Sequence, residues 1–235
     1  MIRNLLLAVV TASALAGGSV LAVQTAANAQ QDAETPLAPQ RIVIGLDLSK
    51  SNPLIEDPEF ASRVASKVAG LVSRLGFASE VHVRTFGNYD ATSNNFSYDA
   101  VLSVRQRPSN VAADIQRLIA GVPALVRSGR FHAQNNTNIL AFLDNVSQSI
   151  GCRGMPTTVV LASDGIEDSD YARLDDADSH LPHPQGRPFR GCAELDIFGL
   201  GQGTRSPRKT TRLRGEWSDW AQAAGFAHFQ GLNDW

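Results

Sequence analysis

Stretches with a two-residue apolar rhythm alternate along this chain with stretches of helical rhythm. That alternation predicts an α/β protein: an open, mostly parallel sheet with helices packed on it. Two further observations point the same way. Residues 157–162 (Thr-Thr-Val-Val-Leu-Ala) form a continuous apolar run, the pattern of a strand covered on both faces. Two predicted strands, moreover, end in aspartates, Asp47 and Asp164, and in open α/β sheets ligands gather beyond the carboxyl ends of strands. A length of 235 residues suits one well-packed domain with decoration. With 43% hydrophobic residues, 19% charged residues and a formal charge of −2, the composition predicts neither nucleic-acid binding nor a membrane-embedded body.

Residues 1–29 stand apart from the fold. Arg3 is the only charge before Asp32, residues 5–16 are apolar, and Ala27-Asn28-Ala29 has the small-x-small form of a cleavage site. This is a secretory signal pattern, so the protein is expected to be exported, to a periplasm or the extracellular space. The alternative is an uncleaved anchor, because apolar and small residues continue to Val23; membrane contact is expected only in that case. Residues 30–40 are polar with Pro36 and Pro39, a linker into a body spanning 41–235. Cys152 and Cys192 are the only cysteines. An even count favours a disulfide in an exported chain, and two free buried thiols are the alternative.

The body opens with strand 41–46 and the turn Asp47-Leu48-Ser49-Lys50-Ser51. Phe60, Val64, Val68, Val72 and Leu75 recur at spacings of four and three, which predicts a helix over 58–75 with Pro58 in its first turn and Gly76 at its stop. Val81, Val83 and Thr85 mark a second strand, and 100–104 a third that pairs with it as a hairpin. A helix opens at Pro108 with Val111, Ile115, Leu118 and Val122 on one face; Gly121 and Pro123 blur its end. Thr137 is expected at the N-cap of a helix carrying Ile139, Phe142, Leu143 and Val146. After strand 157–162 come a long polar connection, a strand at 195–200, a basic loop at 204–214, a short helix at 216–224 and a last strand at 226–229.

Three separated segments thus bring oxygen-bearing side chains to one rim. Hard divalent cations take such oxygen ligands in a tight octahedron. Asp47-Leu-Ser49-Lys-Ser51, Asn136-Thr137-Asn138-Ile139 and Leu161-Ala-Ser-Asp164-Gly165, in this order and each at a secondary-structure boundary, resemble the metal-ion-dependent adhesion site (MIDAS) of von Willebrand factor type A (vWA) domains. The resemblance covers residue 41 to the C-terminus. It implies strand order 3-2-1-4-5-6 with an antiparallel third strand. It further implies one Mg²⁺ or Mn²⁺ held directly by Ser49, Ser51 and Thr137, with Asp47 and Asp164 acting through water or holding the hydroxyls. The implied partner is a protein that offers Asp or Glu to the metal. In the implied order, strands 157–162 and 195–200 are neighbours, and a Cys152–Cys192 disulfide is expected at the edge away from the metal. Family members that switch affinity move a helix after the last strand; none fits after Gly231 here, so switching is not carried over, and the alternatives are that Trp235 docks on the body or that the last strand lies elsewhere than 226–229.

Taken singly, each site residue has a plainer role: Asp47 and Asp164 can cap turns, and Ser49 and Ser51 can bond local backbone. Specificity is expected from rim loops 50–56, 87–98, 131–136 and 165–178, with Asn52, Tyr89, Asn95, Asn136 and Glu167 as partner-binding candidates. His180 and His183 are separated by Pro182, which argues against a second metal site on a helix face. Arg205, Arg208, Lys209, Arg212 and Arg214 lack aromatic interleaving and are expected to be a solvated loop. Envelope assembly, adhesion and secretion are family-level roles among which the sequence does not choose. The competing classes are a metal-assisted hydrolase using Asp47 and a rim histidine such as His132, and a metal-free structural domain. No Gly-x-Ser-x-Gly elbow or His-Glu-x-x-His pair is present, and no second aspartate follows Asp47-Leu-Ser as in aspartyl-phosphate phosphatases, so an enzyme is not expected.

Overall fold

The computed structural model describes residues 37–88, 96–204 and 206–235, and Leu37–Trp235 form one unit. The expected signal and most of the expected linker, rim candidates Tyr89 and Asn95, and Arg205 of the basic run lie outside the described residues. The described residues include six strands: β1 (Arg41–Asp47), β2 (Glu80–Phe86), β3 (Ser97–Val101), β4 (Thr157–Ala162), β5 (Glu194–Phe198) and β6 (His228–Leu232). They form one sheet in the order β3-β2-β1-β4-β5-β6, with β3 antiparallel to β2 and every other pairing parallel. The α/β class and the strand order are therefore as expected.

Four helices cover the sheet: α1 (Pro58–Ser73), α2 (Pro108–Arg127), α3 (Ile139–Ser149) and α4 (Pro207–Ala224). Strand alternation sorts the two layers. Ile42, Ile44 and Leu46 of β1 meet α1 and α2 on one face, whereas Val43 joins Val159, Leu161, Ile197 and the apolar stripes of α3 and α4 on the other. Gly45 has no side chain because Phe142 of α3 lies there; a Cβ would meet its ring at 2.7 Å.

Several boundaries differ from expectation. Strand β3 starts at Ser97, because Tyr98 and Ala100 pair with Val83 and Val81, and Leu102 is buried just past the strand end. Helix α1 stops at Ser73, and α2 runs through Pro123 to Arg127. Pro123 gives up a backbone N–H, but it and Val122 are buried in the core layer, and packing outweighs the missing bond. From Pro207 onward the basic run is a helix, not a loop. Ser206 caps α4 through Lys209 N–H, Pro207 sits in its first turn, and Leu213, Trp217, Trp220, Ala221 and Ala224 bury one face. Three of the run's cations find partners: Lys209 pairs with Asp175, Arg212 donates to the carbonyls of Leu174 and Ser179, and Arg214 donates to Gly231 O. The last strand is shifted to 228–232, and the Trp235 ring lies 5.5 Å from Phe198 and 6.2 Å from Phe60. At the amino ends of β4 and β5, Cys152 and Cys192 are joined, with Cα atoms 5.0 Å apart.

Candidate functional site

Strand β1 pairs with β4 so that Leu46 lies opposite Ala162, which places Asp47 beside Ser163 where both strands end. The Ser163 hydroxyl donates to Asp47 Oδ2 at 2.7 Å, and the Ser49 N–H donates to Asp47 Oδ1 at 2.8 Å. The turn that follows brings the Ser49 and Ser51 hydroxyls within 3.3 Å of each other. On the β4 side, Asp164 Oδ1 accepts from Ile166 N–H at 2.9 Å, while Asp164 Oδ2 is buried with no hydrogen-bond partner. Gly165 makes this turn with φ of 73°, a conformation L side chains rarely adopt, and a Cβ there would also strike Leu200.

The third segment is laid against the first by backbone bonds. Gln134 N–H donates to Leu48 O, and Lys50 N–H donates to Gln134 O. Thr137, expected as a helix cap, is not one. Asn138 takes that position, its side chain accepting from Ala141 N–H, and Thr137 instead exchanges two backbone bonds with Asp168. Its hydroxyl is thereby released from the local role that competed with ligation, and Thr137 is buried at the rim.

Two rim candidates are corrected. Asn52 is 1% exposed; its amide donates to Asp47 O and Ala162 O and clips the two strand ends together. Glu167 is fully buried, with Oε2 accepting from Ile139 and Leu140 N–H and Oε1 accepting from Ser169. It closes the positive end of α3. Neither side chain lies on the exposed rim. Asn136 does stay on the exposed rim, its N–H bonded to Asn88 Oδ1, alongside Asn135, whose side chain accepts from Lys50 Nζ at 2.7 Å. Ser163 and Gln134 are site-building residues that the sequence reading passed over. Ser163 was legible as a hydroxyl beside Asp164; Gln134 had no sequence signal. His180 is held by Glu216 and His183 by its neighbouring carbonyl, so the two imidazoles serve separate contacts.

Three carboxylates are now buried at one edge. Burial pushes Asp47 up to about 6, against the opposing hydrogen bonds from Ser163 and Ser49. Burial, followed by the Asp47 charge, pushes Asp164 up to about 7, against the hydrogen bond that its other oxygen accepts from Ile166 N–H. Glu167 is pushed up to about 7, again first by burial. Removing carboxylates from water without a compensating charge is costly, and a cation placed among them reverses that penalty. The donor set is rich in hydroxyls: among the described residues, no group of three or more His, Cys, Asp or Glu is placed to hold a metal ion by itself. The partnerless Asp164 oxygen and the converging serines nonetheless fit a hard cation that takes neutral oxygens and water.

Fold and site define a class: an open, mostly parallel α/β sheet whose carboxyl rim carries a buried cluster of carboxylates and hydroxyls. No protein-family model matches the sequence, and no curated protein matches it. Among solved structures, the chain is similar to two crystal structures of the pilus adhesin SpaC from Lactobacillus rhamnosus GG. Each is 12% identical; the open conformation has a TM-score of 0.44 and the second form 0.45, over 85% and 84% of this chain. The human COPII-coat protein Sec24c is 10% identical over 85% of this chain, with a TM-score of 0.39. The matched region is 28% of each SpaC chain and 30% of Sec24c.

Proposed function

We propose that this protein is an exported, vWA-like protein-binding module whose rim holds one Mg²⁺ or Mn²⁺ and docks an acidic side chain of a protein partner. Ser49, Ser51 and Thr137 are the direct ligands in this reading, and Asp47 and Asp164 hold water or the hydroxyls. The metal supplies a Lewis-acidic position for the partner's carboxylate. The chain's own residues do the rest. Ser163 and the Ser49 N–H hold Asp47 in place, Asn52 locks the strand ends, and Lys50 adds positive charge on the exposed rim. The observation that carries the reading is Asp164 Oδ2, a buried carboxylate oxygen without a partner beside two converging hydroxyls. The Cys152–Cys192 bond supports export, since such bonds persist in oxidising compartments.

Isothermal titration with Mg²⁺ and Mn²⁺ tests the proposal. The unaltered protein is expected to take up one equivalent, and Asp47→Ala and Thr137→Ala to lose it. Equal and negligible uptake by all three proteins rejects the metal. Partner capture that survives chelation rejects the dock. Turnover of phosphate or ester substrates that disappears in Asp47→Ala would instead identify a metal-assisted hydrolase.

A further inference from the structure

At the end of the sheet opposite the carboxylate rim, where β4 and β5 begin, a cavity of about 790 Å³ opens between the end of α3 and the two segments joined by the disulfide. Its lining includes Gln148, Gly151, Cys152, Arg153, Arg187 and Arg190. We propose that this cavity binds a small polyanion carrying two or more phosphate groups.

Three observations carry this inference. Arg153, Arg187 and Arg190 come from two segments that are 40 residues apart at their cysteines and are tied covalently beside the cavity, so like charges are held together that would otherwise separate. All three arginines are exposed, and among the described residues none of their guanidinium groups makes an ion pair or a hydrogen bond, in contrast to the side chains of Arg41, Arg84 and Lys209. The described lining also contains no Asp or Glu.

The end of α3 would ordinarily oppose an anion, because its last carbonyls are electronegative. Here three full positive charges stand against roughly half a negative charge, and part of that end is engaged as well. Val146 O accepts from Ile150 and Gly151 N–H, Asp144 O and Asn145 O accept from Ser147 and Ser149 hydroxyls, and Gly151 O accepts from Arg41. Asp144 is the acid nearest along this helix, and its carboxylate is held by Gln148. The charged groups of the lining are guanidiniums, whose planar fork matches phosphate oxygens in pairs. The volume falls in the range of small-molecule sites, above what one phosphate fills.

The experiment titrates tripolyphosphate into the full chain at low salt with EDTA present, so that no metal-bridged binding contributes. One saturable site is expected, weakening as salt rises. Arg153→Ala/Arg187→Ala is expected to bind about tenfold or more weakly, the loss that charge-assisted hydrogen bonds imply. Asp47→Ala is expected to bind as the unaltered protein does, which separates this cavity from the metal rim. Both arginines are exposed, so the double variant is expected to unfold at the same temperature as the parent without ligand, and to lose the thermal shift that tripolyphosphate produces in the parent. Absence of saturable uptake overturns the proposal, as does unchanged affinity in the double variant. Inorganic phosphate binding as tightly as tripolyphosphate overturns the polyanion assignment.

Discussion

Asp47 has both carboxylate oxygens engaged, one by the Ser49 N–H and one by the Ser163 hydroxyl, yet burial still raises its pKa to about 6. The sign of the pH dependence follows. In the unfolded chain, Asp and Glu sit near 3.8 and 4.5, whereas folded Asp47, Asp164 and Glu167 lie at about 6, 7 and 7. Between those limits the folded state holds more protons, so metal-free stability falls as pH rises, and the penalty is absent below the unfolded values. Urea midpoints in EDTA are therefore expected to be lower at about pH 8 than at about pH 5.5. Mg²⁺ is expected to remove the rim's share of that slope. Asp196 on β5, also pushed up to about 7 by burial, keeps a residual slope. Greater stability at the higher pH in EDTA would contradict these assignments. Ser163→Ala removes a donor from a buried carboxylate and is expected to cost about 1–3 kcal/mol and to weaken metal uptake, read by denaturation and titration together. Ser163 was visible in the sequence only as the residue before Asp164. Its partner is 116 positions away and is set by the β1–β4 register.

Helix α3 begins on the rim, and its first N–H groups are satisfied from outside the helix by Glu167. Glu167→Ala leaves Ile139 and Leu140 N–H without that acceptor; a loss of about 2–3 kcal/mol is expected in urea denaturation. Asn136→Ala, on the exposed rim, is expected to stay within about 0.5 kcal/mol. If the two variants were equally mild, Glu167 would not be holding those N–H groups. On the same helix, Phe142 fills the place a side chain at residue 45 would take. Gly45→Ala is therefore expected to destabilise by about 1–3 kcal/mol through overpacking, against the usual gain from replacing glycine. Element types were legible from periodicity, because apolar spacing records which face meets the sheet. Ends were less so. The basic stretch before Trp217 hid the first half of α4, since its charges are met by Asp175 and by the carbonyls of Leu174 and Ser179, partners local sequence does not name.

Across the whole molecule the two ends of the sheet do different work. The carboxyl end gathers carboxylates and hydroxyls, and the amino end carries the disulfide and the arginine-lined cavity. The bond closes a loop with a sequence separation of 40. Chain-entropy reasoning puts its contribution at about 4 kcal/mol as an upper figure. Cys152→Ser/Cys192→Ser is expected to lower the urea midpoint accordingly while leaving Mg²⁺ uptake by the folded protein unchanged. Loss of metal uptake in protein that remains folded would show that the two ends are coupled. Among the described residues no helix is long and apolar enough to cross a membrane.

Apolar rhythm by itself determined the α/β class and most elements, because burial on one or both faces is written locally, residue by residue. The spacing of oxygen-bearing residues at strand ends also marked Asp47, Ser49, Ser51, Thr137 and Asp164 as a candidate set. Only the tertiary structure decided what each group faces. It moved the cap from Thr137 to Asn138, sank Asn52 and Glu167 beneath the rim, left Asp164 Oδ2 without a partner, and set three arginines from two segments around one cavity. The physical reason is that hydrogen-bond satisfaction and electrostatic environment depend on neighbours brought close by strand register and loop closure, and sequence distance carries no record of them.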